Sequence, residues 1–130
     1  MTAIAPATAV EVREAWARAT VPGQKVGVTY LTIKSPAAAR LLAVNSAICK
    51  RVEIHSSSMQ GGVMRMRQLK ELKLPAGEDV VLAPMGTHLM LMELHGPLRG
   101  GDLFKIELVV REGGKRRKIP VQVEVRALAQ

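Results

Sequence analysis

The sequence predicts an all-β fold, a β-sandwich, from three observations. Short runs of aliphatic and β-branched residues recur along the chain. Turn residues such as Gly61-Gly62, Pro84-Met85-Gly86 and Gly113-Gly114 separate these runs, and short strands at such intervals are typical of sandwiches and barrels. The 130 residues, 48% hydrophobic and 23% charged, match one folded domain, so we expect a single domain over residues 1–130, with 1–8 as a flexible N-terminal segment.

The first strand is predicted within residues 9–20. Val10 and Val12 alternate with polar residues there, and the alternation changes phase near Glu14, which favours a bulged strand over a short helix. Residues 37–42 could form one helical turn, but Ser35-Pro36 and Asn45-Ser46 interrupt the pattern on either side, so they are interpreted as a loop leading into a strand. The other predicted strands, which are rich in β-branched and aliphatic residues, are 26–34, 51–55, 63–67, 79–83, 87–94, 103–111 and 118–126.

The composition also predicts the core and the last hairpin. Aromatic residues are limited to Trp16, Tyr30 and Phe104, so we expect a core of Val, Leu, Ile and Ala, with Met as a further filler. Gly113-Gly114 is predicted to turn a hairpin. The run from Lys115 to Lys118 that follows it is interpreted as the solvated end of that hairpin.

The chain is strongly basic. Nineteen Lys and Arg against eleven Asp and Glu give a net charge of +8, which favours an anionic partner or docking at an anionic surface. Nucleic acid is not expected, because no recognition motif or aromatic stacking platform accompanies the charge. An enzyme is not expected either, because no nucleophile–base pair, paired acid motif or phosphate loop is visible. The start MTAIAPATAV lacks the basic and apolar segments of a signal peptide.

Methionine is unevenly distributed along the chain. Six of the seven methionines lie between Met59 and Met92. One interpretation is that they fill irregular space in the core. Alternation along a strand offers another, because His88, Met90 and Met92 share one face while the leucines between them take the opposite face. The leucines can serve the core, which leaves the histidine and methionines available as metal ligands.

A second group of candidate ligands precedes this strand. Met64 and Met66 share one face of their own predicted strand, and His55 is expected at the end of strand 51–55, where a loop begins. Imidazoles and thioethers are soft, neutral ligands that suit Cu(I) better than Zn(II), Mg(II) or Ca(II). Thioethers also keep binding metal in oxidising compartments, where thiolates are lost to disulfides. The residues therefore favour a Cu(I) site in an exported protein.

The spacing of these residues resembles that of a known family. His55 is followed by ten residues and Met66, and then by 21 residues and His88-Leu89-Met90. This pattern, together with the surrounding VEIHSSSMQGGVMRMR and LPAGEDVVLAPMGTHLMLMEL, is similar to the periplasmic copper chaperones abbreviated PCuAC. The resemblance extends over residues 10–126, almost the whole chain.

The resemblance implies a cupredoxin-like Greek-key β-sandwich. It implies that His55, Met66, His88 and Met90 bind Cu(I), with Cu(II) as a second candidate oxidation state. Met59 and Met64 are auxiliary candidates. The implied function is copper delivery, without catalysis, to a cytochrome c oxidase subunit or to a dithiol copper-assembly protein. The implied location is the periplasm.

Two alternatives remain at this point. A blue-copper-like electron carrier would use Cys49 with His55 and Met59. Cys49 lies at the other end of its strand from His55, whereas such carriers bring Cys, His and Met together on one late loop, so this alternative is less favoured. The other is a basic nucleic-acid-binding β domain, which only the +8 charge favours.

Overall fold

A computed structural model describes residues 10–127, in which ten strands and no helix are present. The all-β prediction is confirmed. No helix in residues 10–127 is long and apolar enough to cross a membrane. The predicted flexible segment 1–8 lies outside the described residues. The strands are β1 (Glu11–Arg18), β2 (Gly27–Lys34), β3 (Ala39–Asn45), β4 (Cys49–Gln60), β5 (Val63–Leu69), β6 (Leu72–Leu74), β7 (Asp79–Leu82), β8 (His88–Leu94), β9 (Leu103–Glu112) and β10 (Lys115–Arg126).

The strands form one continuous hydrogen-bonded path that folds over on itself. Its order is β5-β4-β8-β2-β1-β10-β9-β3-β6, and β7 pairs with β2 beside it. Buried side chains from one end of the path, Ile54 and Leu89, belong to the same hydrophobic cluster as Leu41 and Val110 from the other end. The two ends therefore pack face to face as the layers of a β-sandwich. The cupredoxin-like label stays a prediction.

The core is aliphatic, as predicted. The largest fully buried side chains are Leu, Ile and Val, and Phe104 and Tyr30 are the buried aromatic residues of the described chain. None of the six methionines in residues 10–127 is buried, since four are exposed and Met90 and Met92 are half-buried. The interpretation of these methionines as core filler is therefore wrong.

The bulge predicted in the first strand is present. The register between β1 and β2 shifts between Arg13 and Trp16, and Glu14 adopts a positive φ of 51°. One extra residue in a strand reverses the side-chain alternation beyond it, which explains the phase change in the sequence. The hairpin at Gly113-Gly114 is also confirmed, since Glu112 pairs directly with Lys115.

Two strand predictions are wrong. Residues 37–42, interpreted as a loop, contain the start of β3, which pairs with β9 on one side and β6 on the other. Its alternation is hidden by a register shift between Leu41 and Ala43, and its partners are distant in sequence. His55 does not end its strand, because β4 continues to Gln60 through a polar segment that pairs with β5.

Candidate metal centre

Two histidines face each other on neighbouring strands. β4 and β8 run antiparallel, and His55 lies directly opposite His88 in their register. Side chains of directly opposed residues project from the same face of a sheet. The two imidazole rings are accordingly adjacent, with centroids 6.0 Å apart.

The candidate methionines lie on the same face as this histidine pair. Met90 follows His88 by two residues on β8 and is opposite Glu53. Met66 on β5 is opposite Ser57, which follows His55 by two residues on β4. Both methionines are therefore diagonal neighbours of a histidine on the adjacent strand, at about 7–8 Å, which is within reach of a long side chain. The other face of β4 and β8 carries core residues such as Ile54 and Leu89.

The auxiliary methionines are farther from the histidine pair. Met59 and Met64 oppose each other next to the turn of the β4–β5 hairpin, on the same face. Met59 lies four residues beyond His55, which corresponds to about 13 Å along a strand. Met92 shares this face in the opposite direction, where it is paired with Arg51. The structure thus brings Met66 and Met90, but not Met59 or Met64, next to the two imidazoles.

Hydrogen bonds orient both imidazole rings. His88 Nδ1 lies 2.9 Å from the carbonyl oxygen of Gly86. His55 Nε2 lies 2.9 Å from Oε1 of Glu53. Both partners can only accept, so each of these ring nitrogens carries the proton and donates it. In the neutral rings the free lone pairs are then at Nε2 of His88 and at Nδ1 of His55, which can bind a metal ion.

Glu53 connects His55 to a small network of charges. Its Oε2 accepts a hydrogen bond of 2.8 Å from Nε of Arg51, and Nη1 of Arg51 donates to Glu93 at 2.8 Å. The hydrogen bond with His55, followed by the one with Arg51, lowers the pKa of Glu53. Glu53 was not among the site residues predicted from the sequence. Its position two residues before His55, on the same strand face, is the signal that could have identified it.

Cys49 lies far from the histidine pair. It is the first residue of β4 and is buried in the hydrophobic core. Six residues separate its position from that of His55, which corresponds to about 20 Å along the strand. Desolvation raises the pKa of its thiol, so the thiolate needed by a copper ligand is disfavoured. The structure does not bring together the Cys, His and Met of a blue-copper centre.

One further histidine and one further methionine lie outside the strands. His95 is exposed just after β8, seven residues or about 24 Å from His88. Met85 is exposed in the turn that precedes β8. Within residues 10–127, no group of three or more His, Cys, Asp or Glu is arranged to hold a metal ion. The arrangement of two imidazoles beside two thioethers can offer a soft, uncharged donor set to a metal ion.

The sequence and fold have identifiable relatives. The sequence model of the LpqE-like family, described as lipoproteins, matches residues 10–125. A protein of Leifsonia xyli named as lipoprotein Lxx21020 is 28% identical over 121 residues, which cover 92% of this chain and 71% of the relative.

Solved structures share the fold. The copper-bound PCuAC domain from PmoF2 superimposes with a TM-score of 0.75 at 22% identity, and the match covers 94% of this chain and 97% of that domain. The solution structure of CuI-DR1885 from Deinococcus radiodurans has a TM-score of 0.67 at 25% identity, with coverage of 94% and 79%. The fold expected from the resemblance to PCuAC domains is confirmed, and the ligand motif stays a prediction. Because the family match spans nearly all of the described residues, the chain belongs to the LpqE-like family.

Proposed function

We propose that this protein binds one Cu(I) ion through His55, Met66, His88 and Met90 and transfers it to an acceptor protein. The observation that carries the proposal is the direct pairing of His55 with His88, with Met66 and Met90 as diagonal neighbours on the same face. Two imidazoles and two thioethers form the neutral, soft donor set that suits Cu(I). A titration with Cu(II) in air would measure binding of the second candidate oxidation state.

The relatives support the choice of copper. The PmoF2 domain is a copper-bound structure, and DR1885 has been solved with Cu(I). The methionines do not fill the hydrophobic core, since Met66 is 57% exposed and none of the six described methionines is buried. Apolar side chains gain little from exposure to water, so a ligand role gives these positions a reason to be methionine.

One side of the site is accessible, at Met66, while His88 is buried at 5% exposure, and this open side favours delivery over storage. Met66 lies on β5, an edge strand at one end of the sheet path, where an incoming ligand can reach it without unfolding the sandwich. Neutral thioethers and imidazoles donate less charge to Cu(I) than two thiolates do, so a dithiol acceptor should hold the metal more strongly. The proposed acceptors are a cytochrome c oxidase subunit or a dithiol copper-assembly protein.

The proposed location is the cell envelope, and more specifically the periplasm. The family is described as lipoproteins, and the Leifsonia relative carries the same description in its name. A ligand set without thiolate also suits an oxidising compartment.

The proposal is tested by anaerobic titration with Cu(I) against a competing chelator, followed by X-ray absorption. We expect one copper per chain with both nitrogen and sulfur neighbours. His55→Gln should weaken binding, whereas His95→Gln, which removes an exposed imidazole far from the pair, should not. Equal affinities for these two variants, or a shell without sulfur, would overturn the proposed ligand set.

Delivery needs a separate measurement. The Cu(I)-loaded protein is mixed with an apo dithiol copper protein, and the metal content of each is measured after separation by size. We expect copper to move to the dithiol protein. Copper that remains on this chain at equilibrium would indicate storage instead.

A further inference from the structure

Four cationic side chains form a row across the sheet, away from the candidate copper site. Arg40 on β3 is directly opposite Lys73 on β6 and Arg111 on β9, and Arg111 is directly opposite Arg116 on β10. Neighbouring strands are about 4.8 Å apart, so the four positions span only about 15 Å. We call these residues the basic row. Like charges in opposed positions destabilise a sheet, so stability does not explain the arrangement.

The charge of the basic row is mostly uncompensated. Arg40 forms an ion pair with Glu71. In the part of the chain that the structure describes, no ion pair involves Lys73, Arg111 or Arg116. Lys118, two residues from Arg116 on the same face of β10, adds a further cation. The surface thus carries five cations and one paired carboxylate.

The basic row lies on an outer face of the sandwich. Its four side chains are exposed, while the residues next to them in sequence, Leu41, Leu74 and Val110, are buried in the core. The histidine pair also projects away from this core, but from β4 and β8 at the other end of the sheet path. Since these two ends form opposite layers, the basic row and the candidate copper site face away from each other.

We propose that the basic row docks the protein on the headgroups of an anionic phospholipid bilayer. An array of long cationic side chains on one face of a sheet complements a planar anionic surface. No exposed large hydrophobic side chain lies in the row, so it lacks the apolar centre of a typical protein interface. It also lacks the aromatic side chains on which nucleic-acid bases stack. The description of the family as lipoproteins agrees with a position close to a membrane.

Docking in this way would fix the orientation of the whole domain. With the basic row against the bilayer, the layer that contains β4 and β8 faces away from the lipid. The candidate copper site would then be open to acceptors in solution. The docking proposal itself does not depend on copper binding.

The test is sedimentation of the full chain with vesicles of phosphatidylcholine, with or without added phosphatidylglycerol. The row variant is Arg111→Gln/Arg116→Gln. The matched control is Arg65→Gln/Arg67→Gln, which removes the same charge from exposed positions on β5. We expect binding of the unmodified protein only to the mixed vesicles, weakened by salt. At about fivefold per cation, the row variant should lose roughly 30-fold in partitioning, and the control much less.

Three results would overturn the proposal. One is no sedimentation of the unmodified protein with the mixed vesicles. Another is an equal loss in the two double variants, which would mean that only net charge matters. The third is vesicle binding that is unchanged in the row variant. If that variant has instead lost binding to a short DNA at the same salt, the basic row binds nucleic acid. Thermal unfolding of both variants verifies that they fold.

Discussion

Met66→Leu separates the role of the thioether sulfur from the role of side-chain volume. Met66 is 57% exposed on the edge strand β5, and Leu has nearly the same volume. Surface substitutions of this kind change the free energy of unfolding by less than about 0.5 kcal/mol. We therefore expect the apo protein to unfold at almost the same temperature as the unmodified chain.

The effect on Cu(I) binding should be much larger. Loss of a hydrogen-bonding group behind a metal ligand already lowers metal affinity by about 10–100-fold. Removal of a ligand itself should lower Cu(I) affinity at least as much. The smallest expected loss is therefore tenfold, which equals about 1.4 kcal/mol of binding free energy. Met90→Leu should behave in the same way, because Met90 is the other diagonal neighbour of the histidine pair.

The assay is anaerobic competition for Cu(I) with a coloured chelator, combined with thermal unfolding of the apo proteins. Met92→Leu is the matched control, because Met92 lies on the same face of β8 but is paired with Arg51, farther from the histidines. Affinities for Met66→Leu and Met90→Leu that equal that of Met92→Leu would refute the reasoning. The exposed methionines would then have no part in holding the metal.

Three further predictions concern neighbouring features. Glu53→Gln should lower Cu(I) affinity by about tenfold, because the carboxylate of Glu53 orients the imidazole of His55. Glu93→Gln, which changes the carboxylate on the other side of Arg51, should leave the affinity unchanged in the same titration. The pKa of Cys49 is raised by burial from 9.0, so the unfolded chain releases this proton at lower pH than the folded one. The free energy of unfolding in urea should therefore fall as pH rises past about 9, and this part of the fall should be missing in Cys49→Ala. Gly62→Ala should lower the free energy of unfolding by about 1 kcal/mol, because φ is +81° at this position. Gly96→Ala, at an open position without positive φ, should change it little. Equal effects of the two substitutions would refute a conformational cause.

Local periodicity allowed part of the site to be predicted. The alternation in β8 placed His88 and Met90 on one face, because the period of two is a property of the strand itself. The extent of β4 could not be predicted in this way. Its polar second half remains in the sheet because Ser57 and its neighbours pair with β5, and that pairing is not visible in the β4 segment alone.

Backbone irregularities limited the prediction elsewhere. Glu93 has a positive φ of 55°, and Leu94 after it is buried in the core, although strict alternation would place it on the outward face with Met92. The contacts of Glu53 with His55 and Arg51 lie within β4, so its position two residues from each could have identified it; only the contact of Arg51 with Glu93 on β8 depends on strand pairing. The strand β3 was missed because its partners β6 and β9 are distant in sequence.

The β4–β5 hairpin has a consequence for how this sequence can change by insertion and deletion. Gln60 pairs with Val63 across a turn of two glycines, and this register places Met66 opposite Ser57. A shift of the register by one residue would move Met66 to the opposite face of β5, where Arg65 and Arg67 now lie. The interval from Met66 to His88 instead passes through several exposed turns, such as residues 75–78, that can absorb added residues. A residue inserted in the first interval should therefore displace Met66 from the site, whereas one inserted at residues 75–78 should leave the four candidate ligands in place.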